Sequence, residues 1–372
     1  MRLRSVPGLI AALTLGAALL PAQAQIRVGQ TAGFSGPVAA GVKETTDGAK
    51  LYLDFVNARG GVNGEKIELV SADDKFDPKL AGENARKLVA DPRLVALFLT
   101  RGTPHAQAVM PVLVESKTPL IGPSTGAMVL HEPVNPYIFN VRATYQREAE
   151  RAIVHLASVG MTRIAIVQVD DSFGADSATG ALRGFEQAQL KPVLHAKFDR
   201  ARPDFAPIAP QIVKTGAQAV LFIASGTAVA DGMKAMRGAG SRAQAVTLSN
   251  NASGGFVKLL GDQARGTIVS QVFPNERSMA VPMIREAMEL ARAKGLSEVS
   301  PAMMEGYAAA KVLVEGLRRA GPNPTRASLL AALNGMGRYD LGGLEVGYSA
   351  TDRTGLDYAD LSIIGADGRF MR

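Results

Sequence analysis

Short apolar runs alternate with longer helical patterns along this 372-residue chain, and the series runs twice. Runs at 26–30, 67–71, 95–100, 119–121, 164–169, 193–198, 219–224, 245–248 and 267–272 read as strands. Several are rich in Val, Ile and Leu on both faces, as buried parallel strands are. Between them lie helical patterns. Within 146–159, Ala149, Ala152, Ile153, Leu156 and Ala157 form one apolar stripe at helical spacing. Asp77-Pro78 and Thr103-Pro104 each read as an N-cap followed by a first-turn proline, and Gly60-Gly61 ends a helix that begins near Thr46. The repeated β-α-β-α order predicts an α/β chain with mainly parallel, doubly wound sheets. One series starts at Ile26 and the other at Ile164; no low-complexity linker separates them, and 137–145 reads as an extended crossing segment. Beyond about residue 275 come long helical patterns at 279–293 and 303–320. A short β-rich tail follows, with turn signals at Asp352-Arg353-Thr354-Gly355 and Asp367-Gly368. Two such lobes enclose a cleft where open sheets present ligand loops at the carboxyl ends of their strands.

The first 24 residues read as an export signal rather than as part of the fold. Arg2 and Arg4 form a basic start, 9–20 is apolar or small, and Ala22 and Ala24 stand at the peptidase-read positions. The apolar run is shorter than the roughly 20 residues a membrane span needs. The mature chain is therefore expected to start at Gln25 and to be exported and soluble. Removing 1–24 lowers the net charge from +7 to +5. The basic residues are scattered among acids and there is no tryptophan, which argues against nucleic acid as a partner. No cysteine is present, which excludes a thiol nucleophile, a lipidated cysteine and cysteine-based metal sites.

Catalytic signatures are sparse. Gly122-Pro123-Ser124-Thr125-Gly126 fits G-x-S-x-G after a strand, so an exported hydrolase using Ser124 is one reading. Pro123 before the serine, and the lack of any histidine after His195, weaken it. The four histidines lie in different elements, and the adjacent pairs Asp73-Asp74 and Asp170-Asp171 read as strand-end caps rather than metal ligands. No metal or cofactor is expected. The stronger signal is a set of strand-end loops rich in glycine and small hydroxyls: Gly33–Pro37, Thr100–His105, Pro123–Gly126, Asp170–Gly174, Ser225–Thr227 and Ser249–Asn251. Glycine lets backbone N–H groups approach a ligand, and helix N-termini favour a carboxylate. This is equipment for binding without a nucleophile–base pair.

With those loops in view, the chain resembles the type I periplasmic binding proteins of the leucine/isoleucine/valine-binding family. The stretches that carry the resemblance are Ser35-Gly36-Pro37, Asn57-Ala58-Arg59-Gly60-Gly61-Val62-Asn63-Gly64, Asp73-Asp74 with Asp77-Pro78, Gly122–Gly126, and Arg163-Ile164-Ala165-Ile166-Val167. The resemblance implies two doubly wound parallel-sheet lobes joined by three crossing segments, here near 142–146, 271–275 and 346–350. The lobes would comprise 25–143 with 273–347, and 144–272 with 348–372. It further implies a monomer that closes on a small organic ligand and delivers it to an inner-membrane ABC permease and ATPase complex. A sensory receptor of the same fold is the alternative. By the same resemblance the ligand would meet Thr100, Arg101, Gly102, Thr103, Ser124, Thr125, Gly126, Phe173 and Asn250, and the strand-end loops add Ser35, Asp171, Ser225 and Gly226 as candidates. Two departures bear on the ligand. Arg101 replaces a small hydroxyl, and Asn250 stands where the family places the acid that grips an α-ammonium. A desolvated ammonium needs an anionic partner, whereas Arg101 suits a carboxylate. The expectation is a small organic acid, or an amide, rather than a branched-chain amino acid, unless Asp170 or Asp171 supplies the missing charge.

Overall fold

The computed structural model describes residues 25–372; the segment read as an export signal lies outside them. The chain begins with β1 (Gln25–Ala32), α1 (Ala39–Ala58), β2 (Lys66–Asp73), α2 (Pro78–Val89), β3 (Leu94–Phe98), α3 (Thr103–Ser116), β4 (Leu120–Ile121) and β5 (Ile138–Phe139). It continues through α4 (Tyr145–Ser158), β6 (Ile164–Val169), α5 (Ser172–Gln187), β7 (Leu194–Phe198), α6 (Ala209–Lys214), β8 (Ala219–Ile223), α7 (Gly226–Gly238), β9 (Gln244–Thr247), α8 (Gly254–Leu260) and β10 (Ile268–Gln271). It closes with α9 (Pro282–Ala293), α10 (Pro301–Ala320), α11 (Arg326–Asn334), the hairpin β11 (Gly337–Asp340) and β12 (Glu345–Tyr348), then β13 (Asp360–Ile364) and β14 (Phe370–Met371).

Two sheets result. One has the order β2-β1-β3-β4-β5, all parallel. The other has the order β14-β13-β10-β9-β8-β6-β7, parallel from β7 to β10, with β13 and β14 antiparallel at one edge. Every residue of β3, β6 and β8 is buried. That explains their unbroken apolar runs, since helices cover both faces of each sheet. In the first lobe, α1, α9 and α10 share one core with the sheet, and α2 and α3 share a second. α4–α8 complete the core of the second lobe. α1 and α10 cross at backbone contact: a Cβ on Gly48 would lie 1.9 Å from the Met303 carbonyl oxygen, and one on Gly306 would lie 1.8 Å from that of Thr45.

The chain passes between the lobes after β5, after β10 and after β12. Several local expectations need correction. The 137–145 segment contains β5, which adds a fifth strand to the first sheet before the chain crosses. The chain leaves the hairpin after Tyr348, within the 346–350 segment expected to make the third crossing. α1 begins at Ala39 rather than near Thr46, because Val38 precedes it without any side-chain cap to mark the start. Asp77 caps α2, accepting from the backbone N–H groups of Lys79 and Leu80. At α3 the N-cap is Gly102, at φ +97°, so Thr103 lies inside the helix and its hydroxyl is free for another partner.

Candidate functional site

In each sheet the strand order reverses beside the first strand, between β1 and β3 and between β6 and β8, which is where open α/β sheets hold ligands. The loops after β3, β6, β8 and β9 face one another across a cleft. They border a half-open cavity whose empty space, open solvent included, is about 310 Å³. Arg101, Gly102 and Thr103 line it from the first lobe, and Phe173, Ser225 and Asn250 from the second. A neighbouring cavity of about 330 Å³ shares Arg101, Asn250 and Val38 with the first and adds Gly41, Gly226 and Phe256. Arg101 stands between the two. Its Nη2 donates to the Asn250 carbonyl oxygen at 2.6 Å, across the cleft, and its Nη1 donates to Ser124 Oγ at 3.3 Å. The guanidinium packs beside Gly41 of α1, where a Cβ would meet Nη2 at an ordinary contact distance of 3.5 Å.

The electrostatics of the cleft are one-sided. Arg101 is only 6% exposed and has no acidic side chain within 4 Å among the described residues. No aspartate or glutamate lines either cavity. Two acids on elements that border the cleft, Asp171 and Glu44, are committed elsewhere. Asp171 caps α5 by accepting from the N–H groups of Phe173 and Gly174 at 2.9 and 3.2 Å, and its other oxygen pairs with Arg200 Nε at 2.5 Å. Glu44 accepts from the N–H groups of Gly254 and Gly255 at 3.0 and 2.7 Å and from Ser300 Oγ at 2.6 Å. A buried cation without a counter-charge costs several kcal/mol unless something supplies one.

The other anticipated residues sort by position. Ser124 is buried, with Arg101 on its hydroxyl. Thr125 Oγ1 pairs with Thr103 Oγ1 at 2.8 Å, fastening the loop after β4 to the start of α3. Thr100 is fully buried and receives the Ser124 N–H on its carbonyl, outside the cavity lining. Gly126 accepts from the Tyr145 N–H at 2.8 Å and packs against the Ala143 backbone, so it braces the crossing segment. Ser35 is exposed and turned away, its N–H and hydroxyl both donated to the Asp73 carboxylate. Gly226 lines the second cavity rather than the first.

The family model described as periplasmic binding protein matches residues 25–363. The chain belongs to this family. Among curated relatives, Leu/Ile/Val-binding protein homolog 3 of Brucella melitensis is 25% identical, over 90% of this chain and 89% of that protein. Among solved structures, a substrate-binding periplasmic protein from Ralstonia solanacearum is 33% identical with a TM-score of 0.84, covering 93% of this chain and 99% of that one. A possible leucine/isoleucine/valine-binding protein from Rhodopirellula baltica is 24% identical with a TM-score of 0.88, over 95% and 98%.

Proteins of this family bind substrates rather than transform them, and Ser124 fits that role. Its hydroxyl meets Arg101, and no histidine is among its hydrogen-bond partners. In this periplasmic binding protein the two lobes meet across the cleft. Besides Arg101 with Asn250 and Glu44 with α8, Thr227 Oγ1 donates to the Pro37 carbonyl at 3.2 Å and Ser172 Oγ to Gln107 Oε1 at 2.6 Å. Among the described residues no helix is long and apolar enough to cross a membrane. The cavity also has walls that the motifs did not single out: Val38, Phe76, Tyr145 and Arg200. Phe76 sits at φ +60°, its N–H held by Asp74 Oδ1 at 2.9 Å, and Arg200 reaches over its ring from the other lobe at 5.2 Å. Tyr145 meets Phe173 edge-on at 4.8 Å. Phe76 has one available signal, an aromatic placed directly after a strand-end acidic pair. Arg200 has none, because its loop carries no periodicity.

Proposed function

We propose that this periplasmic binding protein closes over a small monocarboxylate with an apolar, preferably aromatic body and no α-ammonium group. The observation that carries the reading is Arg101, a buried guanidinium in the cleft with no acidic partner. A carboxylate there would supply the missing negative charge and accept a forked pair of N–H groups. The rings of Phe76, Tyr145 and Phe173 suit an apolar body beside it. An amino acid fits poorly, because its ammonium would be buried with no anion to meet it. Of the two residues that could have replaced the absent acid, Asp171 is neutralised by Arg200 and spent on a helix cap, and Asp170 pairs with Lys197 outside the cavity lining. On this reading the loaded, closed form is what an inner-membrane permease and ATPase complex recognises after export of the mature chain.

Thermal unfolding with matched probe pairs tests the ligand class. Benzoate, phenylacetate and isovalerate should stabilise the protein, by about 2.7 kcal/mol at 100 times the dissociation constant. Phenylalanine and leucine should give little shift. Strong stabilisation by leucine with none from the three acids would overturn the reading.

A further inference from the structure

Behind the cavity wall lies a charged cluster that is not itself part of the lining and meets it through Tyr145. Arg142, in the segment crossing from β5 to α4, is 2% exposed. Its Nη2 donates to a Glu148 oxygen and to Ser249 Oγ, the latter at 2.7 Å, and its Nε donates to the Ala143 carbonyl at 3.2 Å. Glu305 from α10 of the first lobe approaches Nη1 at 3.8 Å. The guanidinium carbon lies 4.4 Å from the Tyr145 ring centre. The second oxygen of Glu148 accepts from the Ser249 N–H at 2.9 Å and from the Ser270 hydroxyl. Ser249 is thus held twice, by its backbone through Glu148 and by its hydroxyl through Arg142. It immediately precedes Asn250, whose carbonyl is the cross-cleft acceptor for Arg101.

We infer that Arg142 is a positioning residue of the cleft: through Ser249 it sets the placement of Asn250, and through its stack it sets the ring plane of Tyr145. Both dependants line the ligand cavity on the second-lobe side. A bare buried ion pair would need only Glu148. The extra bonds to Ser249 and Ala143, with Tyr145 on the guanidinium face, use the planar fork of arginine, which lysine cannot reproduce. The cluster also spans the crossing, with Glu148 and Ser249 on the second lobe and Glu305 on the first. Lobe closure and the shape of the wall therefore share one anchor.

The test pairs a mild variant with a severe one. Ser249→Ala removes one hydroxyl, and Arg142→Lys keeps the charge but loses the fork. Binding of benzoate is measured by calorimetry, the unfolding temperature without ligand by calorimetric scan, and backbone amide exchange by mass spectrometry. Ser249→Ala should bind benzoate about tenfold more weakly, the loss of one hydrogen bond to a charged group. Its unfolding temperature should change little, and exchange should rise at 248–252 while the cores of both sheets stay protected. Arg142→Lys should show the same local exchange with a larger loss of affinity. Unchanged benzoate affinity in Ser249→Ala, or exchange raised evenly through both lobes, would show Arg142 to be plain scaffolding. The benzoate arm rests on the carboxylate reading. If the wild-type protein ignores benzoate, that reading fails by itself, and exchange at 248–252 decides the role of Arg142 alone.

Discussion

Replacing Arg101 by methionine separates a ligand group from a structural strut. The side chain makes two hydrogen bonds within the protein, to Ser124 Oγ and the Asn250 carbonyl. Its loss strands the Asn250 acceptor at a cost of about 1–3 kcal/mol. Against this, whatever share of the ligand-free protein is closed loses a buried cation without a counter-charge, and methionine refills the space adaptably. The ligand-free variant should therefore unfold at the wild-type temperature or above it. Binding behaves oppositely. A carboxylate forked on the guanidinium makes two charge-assisted bonds worth about 1.5–3 kcal/mol each. Even the lower figures lose about 3 kcal/mol, a hundredfold in affinity. At a benzoate concentration 100 times the wild-type dissociation constant, the stabilisation should then fall from about 2.7 to about 0.4 kcal/mol. Calorimetric scans of both proteins with and without benzoate read all four quantities. A ligand-free variant destabilised by 3 kcal/mol or more, or a full benzoate shift in the variant, would refute the argument.

Further outcomes follow from other contacts. Gly255→Leu should weaken every ligand by a common factor of about 5–100, because a Cβ there lies 2.4 Å from Ala40 Cβ and larger groups overpack only the closed form; equal loss across benzoate, phenylacetate and isovalerate, with a larger radius of gyration in X-ray scattering, checks it. Ser124→Ala should weaken benzoate binding only about two- to tenfold, the worth of one neutral acceptor on Arg101, and neither protein should turn over an ester panel. Burial pushes His105 and His131 down to about 4, so the unfolded chain takes up their protons first, near pH 6.5, and stability drains as pH falls from there to 4. Asp74, pushed up to about 6 by burial, has the opposite sign: its contribution is present in acid and lost as pH rises through 6. His131→Gln should therefore remove about 3 kcal/mol of the wild-type acid loss, measured as the difference between urea unfolding at pH 7 and pH 4.

The strands were legible because both faces of each sheet are covered, so β3, β6 and β8 carry no polar alternation to confuse the pattern. The loops at their carboxyl ends were legible for a related reason, since glycine and small hydroxyls fall abruptly where apolar runs stop. What escaped depends on partners distant in sequence. The capping reading of Asp73 and Asp74 agrees with their bonds to Ser35, Lys75 and Phe76, yet nothing local tells that Phe76 then faces the cavity. Asp171 looked available for a ligand because its pairing with Arg200 spans 29 residues. The onset of α1 was hidden by the absence of a polar cap at Val38. Thr103 reads as a cap in the sequence, which does not show that Gly102 takes φ +97° and leaves the Thr103 hydroxyl to Thr125.

On the proposed reading, the awkward placement of Arg101 is what couples ligand to motion. Closing the cleft without an anion buries a guanidinium against a lone serine hydroxyl and a carbonyl, while opening returns it to water. The empty protein therefore carries a penalty in the closed form that an anionic ligand removes. A ligand moves a two-state equilibrium only by its differential affinity for the two states. Here the differential is the desolvation of one cation, several kcal/mol, enough to carry an equilibrium from mostly open to mostly closed. A neutral ligand filling the same cavity would leave that penalty in place. Benzamide, matched to benzoate in shape, should accordingly bind weakly and leave the X-ray scattering of the protein unchanged, whereas benzoate should contract it. Equal contraction by both would mean that closure is driven by the apolar walls of Phe76, Tyr145 and Phe173, with Arg101 a bystander.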